Sequence, residues 1–274
     1  MLQSFIKICI STVVFAFAIA SCTELIDIKT ISAEPQIVIE ATIGMNEPPL
    51  VRLTKTNSLN EGDRFPAVEN AHVSLKDNHG RIVVLSEMSP GYYGTKSNFF
   101  GEPGTTYTLT VNDGSSTINS TSTMPSWVKI DTVSVINSIY PGGGPPTDSF
   151  QEANFYEIKI KYSDPGNETN FYRFVVSVND RAAKGNNIVD DRLTNGNTSE
   201  RNIIIYDADL KPGDVFIVEM QCIDKAVYEY FESMGNVNMG PNSSSPANPY
   251  TNLKGAKLGY FSAHTVERKY ITIK

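Results

Sequence analysis

Residues Thr106–Thr123 read TYTLTVNDGSSTINSTST, and their alternation decides the fold. Tyr107, Leu109 and Val111 fall on one face with threonines between them, the period-two pattern of a strand with one side buried. Asn112-Asp113-Gly114 supplies a turn, and STINSTST returns as the antiparallel partner. The same alternation recurs upstream in AHVSLKD, where Val73 and Leu75 share one face and His72, Ser74 and Lys76 the other. IVIEA, LVRLTK and RIVVL fit further strands, with Asp77-Asn78-His79-Gly80 as a tight connection. Frequent short strands without intervening helices predict a β-sandwich, because each half-buried strand needs a facing sheet.

Downstream, Met124-Pro125-Ser126 marks a boundary, since proline stops the preceding strand, and Trp127, the only tryptophan, follows it. A second β series begins at DTVSVIN. In FYEIKIKYSD, Tyr156, Ile158, Ile160 and Tyr162 face one way; in FYRFVVSVND, Tyr172, Phe174, Val176 and Val178 do. RNIIIYD and DVFIVEMQC continue the series. The exception is DKAVYEYFESMG, which carries Val227, Tyr230, Phe231 and Met234 at the spacing of one apolar helical face, with Asp224 placed to cap it and Gly235 to end it. Stretches rich in Gly, Pro, Asn and Ser from Tyr140, Asp180 and Gly235 read as loops, either binding loops at sandwich ends or plain surface linkers.

The chain opens on an apolar run from Ile8 to Ala20 preceded by Lys7, followed by Ser21-Cys22. The run is shorter than the about 20 apolar residues that span roughly 30 Å of hydrocarbon, and it has the charge and length of a secretory leader. Ile19-Ala20-Ser21-Cys22 reads as a lipobox, predicting a leader over residues 1–21 and a mature chain that begins at a lipidated Cys22. Acyl chains contribute about 0.8 kcal/mol per buried CH2, so a multiply acylated Cys22 would be held stably by membrane lipid. Cys9 then leaves with the leader, and Cys222 stands alone without an intramolecular disulfide partner. The formal net charge of −7 repels nucleic acid and anionic headgroups, so no nucleic-acid partner is expected.

Motifs that carry chemistry are sparse. His72, His79 and His264 show neither HExxH nor a zinc spacing; His72 and His79 sit at polar strand and turn positions. Cys222 lies on the apolar face with Phe216, Val218 and Met220 and reads as a buried hydrophobe. No nucleophile elbow, P-loop or dinucleotide fingerprint appears. Asp190-Asp191 and the Asp207, Asp209 and Asp214 set could offer hard oxygen ligands to calcium, but aspartates beside Gly and Pro commonly serve turns. No metal and no cofactor are therefore expected, and a glycosidase-type carboxylate pair stays open because only spatial separation decides it. Tyr92-Tyr93, Phe99-Phe100, Tyr228 and Tyr230 are either core rings or a platform for sugars or peptides.

The leader ending in SCTELIDI, then EPQIVIEATI, PAVENAHVSLKDNHG, PGYYGTKSNFFGEPGTTYTLTV, STSTMP and NLKGAKLGYFSAHTVERKYITI occur in this order. Together they resemble the Bacteroidota outer-membrane lipoproteins catalogued as domain of unknown function 4249. The strand, boundary and helix patterns above predict a mainly all-β chain of two immunoglobulin-like or transthyretin-like β-sandwich domains, residues 22–125 and 126–274, the second with one packed helix near 225–235; the resemblance implies that the first is similar to carboxypeptidase-regulatory or transthyretin-like domains. It implies no catalytic residues. It does imply a non-enzymatic accessory to a TonB-dependent transporter, engaged in capture or uptake of a peptide or glycan. Glu24 and Asp27 behind Cys22 point to the cell exterior. A structural or adhesive envelope protein is the alternative, and a carboxylate-dependent hydrolase a further one.

Overall fold

In a computed structural model, residues 34–57, 65–140, 153–179, 181–182, 185–206, 210–237, 248–256 and 258–273 are described. The hairpin read first is present as β6 (Thr106–Asn112) and β7 (Thr117–Thr123), paired Val111 to Ile118 and Leu109 to Ser120. Its turn closes on the Asp113 carboxylate, which accepts from the Ser115 and Ser116 amides, while Gly114 takes a φ of +88° that a side chain would resist. Tyr107, Leu109, Val111 and Ile118 are buried as the alternation requires. Ser120 and Ser122 are buried as well, so the inner face of β7 turns polar where it meets other chain segments.

Upstream lie β1 (Ile37–Gly44), β2 (Leu50–Lys55), β3 (His72–Asp77), β4 (Ile82–Ser89) and β5 (Tyr92–Gly94). Downstream follow β8 (Ile130–Tyr140), β9 (Ala153–Ser163), β10 (Phe171–Val178), β11 (Arg181–Ala182), β12 (Asn187–Asp190), β13 (Thr198–Tyr206), β14 (Val215–Ile223), helix α1 (Lys225–Val237), β15 (Leu253–Lys254) and β16 (Leu258–Thr272). The fold is thus mainly β, with α1 the one helix among the described residues. A 13-stranded sheet runs β11-β10-β14-β16-β1-β2-β5-β4-β3-β6-β7-β15, with β12 also beside β10; β13-β9-β8 form a separate sheet.

Two large apolar clusters organise these strands. The first joins Ile39, Leu53, Val73, Leu75, Tyr93, Tyr107 and Leu109, and Met124 is the last residue before the downstream strands to enter it. The second sets Tyr156, Ile158, Ile160 and Tyr162 of β9 against Tyr172, Phe174, Phe216, Val218 and Met220 of β10 and β14, a face-to-face sandwich. Val128 is the first member of that cluster, so the chain changes core within a few residues of Pro125.

Strand β16 belongs to both halves. Its first part pairs in parallel with β1, from Val38 opposite Leu258 to Gly44 opposite His264. Its second part pairs antiparallel with β14, from Cys222 opposite Thr265 to Val215 opposite Thr272. Phe261 and Ala263 enter the first cluster. On the edge of β16 away from β1, side chains replace a neighbouring strand. The Asn252 amide pairs with both backbone groups of Phe261 at 3.0 and 2.7 Å, and Ser122 Oγ accepts from the Ala263 amide at 2.9 Å. That is why serines occupy the buried face of β7: they satisfy backbone groups that would otherwise be orphaned.

Two expectations need correction. The stretch from Asp180 is not a loop throughout, because it contributes β11 and β12 and leads into β13. The edge of β10 supplies pairing partners, Phe171 to Asp190 and Phe174 to Asn187, which override a composition without periodicity. Helix α1 also continues through Gly235 to Val237, since Gly235 does not take the positive φ of a helix-ending glycine. The segments 141–152 and 238–247, which hold most of the other two loop readings, lie outside the described residues.

Candidate functional site

Helix α1 begins where Asp224 caps it: Oδ1 accepts from the Val227 amide at 2.9 Å, and Oδ2 accepts from Ser122 Oγ at 2.5 Å. Its apolar face, Val227, Tyr230 and Phe231, packs with Ile223 and Tyr260. The helical period then places Lys225, Tyr228, Glu229 and Glu232 together on another face. That face lines a cleft of about 460 Å³ with Thr169, Phe171, Asp190 and Arg192 as the opposite wall. The wall follows from β alternation: Tyr172 points into the second core, so Phe171 points out, and β12 brings Asp190 alongside it.

The cleft sets two aromatic rings beside charged side chains, with Arg192 and Lys225 exposed and Asp190 largely buried. The Phe171 and Tyr228 rings lie 5.0 Å apart, tilted by 41°. The Tyr228 hydroxyl is 3.3 Å from Asp190 Oδ2 and 3.2 Å from Glu232 Oε1, and donates its single proton to one at a time. Arg192 pairs with Asp190 at 2.8 Å and Lys225 with Glu229 at 3.5 Å. Burial alone would raise the Asp190 pKa, but the hydrogen bonds and charge of Arg192 outweigh it and hold the carboxyl below its ordinary value. Burial, reinforced by the Asp190 and Glu232 charges, pushes the Tyr228 phenol up to about 12. At neutral pH the cleft therefore presents an ionised carboxylate and a protonated phenol side by side.

The other residues singled out from sequence are dispersed. Asp191 turns away from Asp190 and accepts from the Asn170 amide at 2.7 Å, tying the start of β10. Asp214 accepts from the Lys211 amide and from Asn179, a turn role. Asp207 and Asp209, like Cys22, Glu24 and Asp27, lie outside the described residues. No group of three or more metal-ligating side chains gathers among the described residues. Burial pushes the Cys222 thiol up to about 11, as an apolar surrounding does.

Each aromatic pair splits between inside and outside. Tyr93 is buried and donates to the Val68 carbonyl at 2.8 Å, while Tyr92 is exposed beneath Arg52. Phe99 is buried edge-on to Tyr107 and Phe100 is exposed. Tyr230 packs inward on Tyr260, leaving Tyr228 as the one member of these pairs that lines the cleft.

His72 and His79 are exposed, but His264 is buried, with Ser262 Oγ 3.2 Å from Nδ1. It lies within a polar layer on the helix side of the sheet. There Arg268 bridges Glu47 and Glu219, Glu219 accepts from Gln221, and Gln221 accepts from Arg173, whose guanidinium sits 4.2 Å from the Phe231 ring centroid. Sequence reading missed this layer, and missed Phe171, Arg192, Lys225, Glu229 and Glu232 in the cleft. A signal existed for the helix residues, the polar face of the same amphipathic pattern, but the wall opposite comes from non-local pairing.

Fold and cleft together define a mainly β, sandwich-like protein whose single described helix flanks a cleft of aromatic and charged side chains. The chain belongs to the family described as domain of unknown function (DUF4249), whose model matches residues 23–270. No curated protein matches it.

Proposed function

We propose that this chain is a lipid-anchored outer-membrane protein that captures a nutrient, a peptide or glycan, beside a TonB-dependent transporter without transforming it. The cleft beside α1 carries the reading: it is open, is lined by α1, the ends of β10 and β12 and the turns beside them, and combines aromatic rings with both donors and acceptors, the composition of a binding site. Anchoring is supported by Ile19-Ala20-Ser21-Cys22, and outward display by Glu24 and Asp27. Asp190 is held low, the opposite of what a general acid needs, and Asp224, which burial does raise, is engaged as a helix cap.

A second reading, a structural or adhesive envelope protein, is favoured by one observation. Ile82, Val84 and Met88 of β4 are each more than half exposed on the outer face of the sheet. Purification from native membranes in mild detergent separates the two readings. Co-recovery of a TonB-dependent transporter is expected, and recovery without one would count heavily against the partnership. Protease treatment of intact cells should degrade the protein; full protection would remove the claim of surface display, and Cys22→Ser should release it from the membrane.

A further inference from the structure

We propose that the cleft beside α1 binds a neutral saccharide, one ring lying against Tyr228 and Phe171 with its hydroxyls shared among Asp190, Arg192 and Glu232. This rests on the capture reading and selects its ligand class. A sugar ring has an apolar C–H face and an edge of hydroxyls, each able to donate once and accept twice. The cleft matches both aspects, with the two rings of Phe171 and Tyr228 in its lining and carboxylates and cations beside them.

Charge decides against cationic and anionic ligands. Arg192 already occupies Asp190 at 2.8 Å and Lys225 faces Glu229 at 3.5 Å, so a cationic peptide must compete with cations built into the site. An anionic ligand meets Asp190, Glu229 and Glu232 together. A neutral polyhydroxylated ligand needs no displacement, because each ion pair keeps free lone pairs or N–H groups for it. Tyr228 is held in place by Phe171 and by its two carboxylate neighbours, so little side-chain freedom remains to be lost on binding. Its hydroxyl lets one side chain contribute both the stacking face and a hydrogen-bond group.

The test applies the full-length chain, in mild detergent, to an array of neutral oligosaccharides, with tetralysine as a cationic probe. Binding to at least one oligosaccharide is expected, and it should persist at high salt because no net charge is transferred. Tyr228→Ala should weaken it about tenfold, the scale of losing one aromatic contact. Glu232→Gln, on an exposed turn of the helix, should also weaken it while leaving the circular dichroism spectrum unchanged, so a folding defect in the first variant does not decide the result. A silent array overturns the proposal, as does salt-sensitive binding of tetralysine alone, or sugar binding that neither variant alters. A silent array with a co-purifying transporter removes only the ligand class; sugar binding without a transporter removes only the partnership.

Discussion

Gly259, at the start of β16, has a φ of +103°, and a Cβ there would run into the carbonyl oxygen of Ile39 on the parallel strand β1. Gly259→Ala therefore combines an unfavourable backbone conformation with a backbone clash, and should cost about 3 kcal/mol or more in a denaturant titration. His264 makes a pH-dependent contribution. Burial lowers its pKa from 6.5, Glu219 and Glu47 oppose that shift, and Arg173 reinforces it. The unfolded chain takes up the proton first as pH falls, so stability should decline below about pH 6.5, by at most about 1.4 kcal/mol per pH unit, until the folded value is reached. His264→Gln should flatten the change in denaturation midpoint between pH 7 and pH 5. An unchanged slope would place the titration elsewhere.

At the scale of the element, α1 depends on one residue before its first turn. Asp224 caps the helix and also binds Ser122 on β7, so it joins the element to the first half of the chain. Burial raises its pKa, the hydrogen bonds from Ser122 and Val227 only partly offsetting this. Asp224→Asn keeps an acceptor for the Val227 amide but sets an NH2 against the Ser122 hydroxyl and the Thr123 amide, which donate to Oδ2 in the native protein. It should cost about 1 kcal/mol in a denaturant titration, and Asp224→Ala about 2 kcal/mol. Equal losses in both would show that the contacts at Oδ2 matter more than the cap. The Asp77 turn behaves in the opposite sense. There burial is outweighed by hydrogen bonds from Arg81 and His79, the pKa is lowered from 3.8, and stability from this group should be lost only as pH falls below that value.

Across the whole molecule, β16 couples the halves, because Phe261 and Ala263 fill the first core while Thr265–Thr272 pair with β14 at the second. A fragment ending at Pro125 lacks Leu253, Phe261, Ala263 and the Asn252 bridge. It should fail to give a cooperative thermal transition, whereas the full chain should unfold in one step. Asn252→Ala leaves the Phe261 amide and carbonyl without their present partner and should cost about 2 kcal/mol. Two separate transitions in the full chain would show that β16 does not transmit stability between the cores.

Much of the fold is readable from local periodicity. The inward faces of β6, β9 and β10 and the apolar face of α1 follow from spacings of two and of three to four residues, which the backbone geometry enforces wherever the chain is placed. The candidate site is far less legible. Tyr228 stands out as an aromatic residue, but Phe171, Asp190 and Arg192 become its neighbours only after β12 pairs with β10 and α1 docks on Tyr260. Likewise, the serines of STINSTST look like the solvent side of a strand until β16 returns from the far end of the chain and needs them. Sequence by itself determined which residues could be buried, because hydrophobic periodicity is local. Tertiary structure alone decided which polar groups would meet, because strands and helix distant in sequence had to pair and pack first.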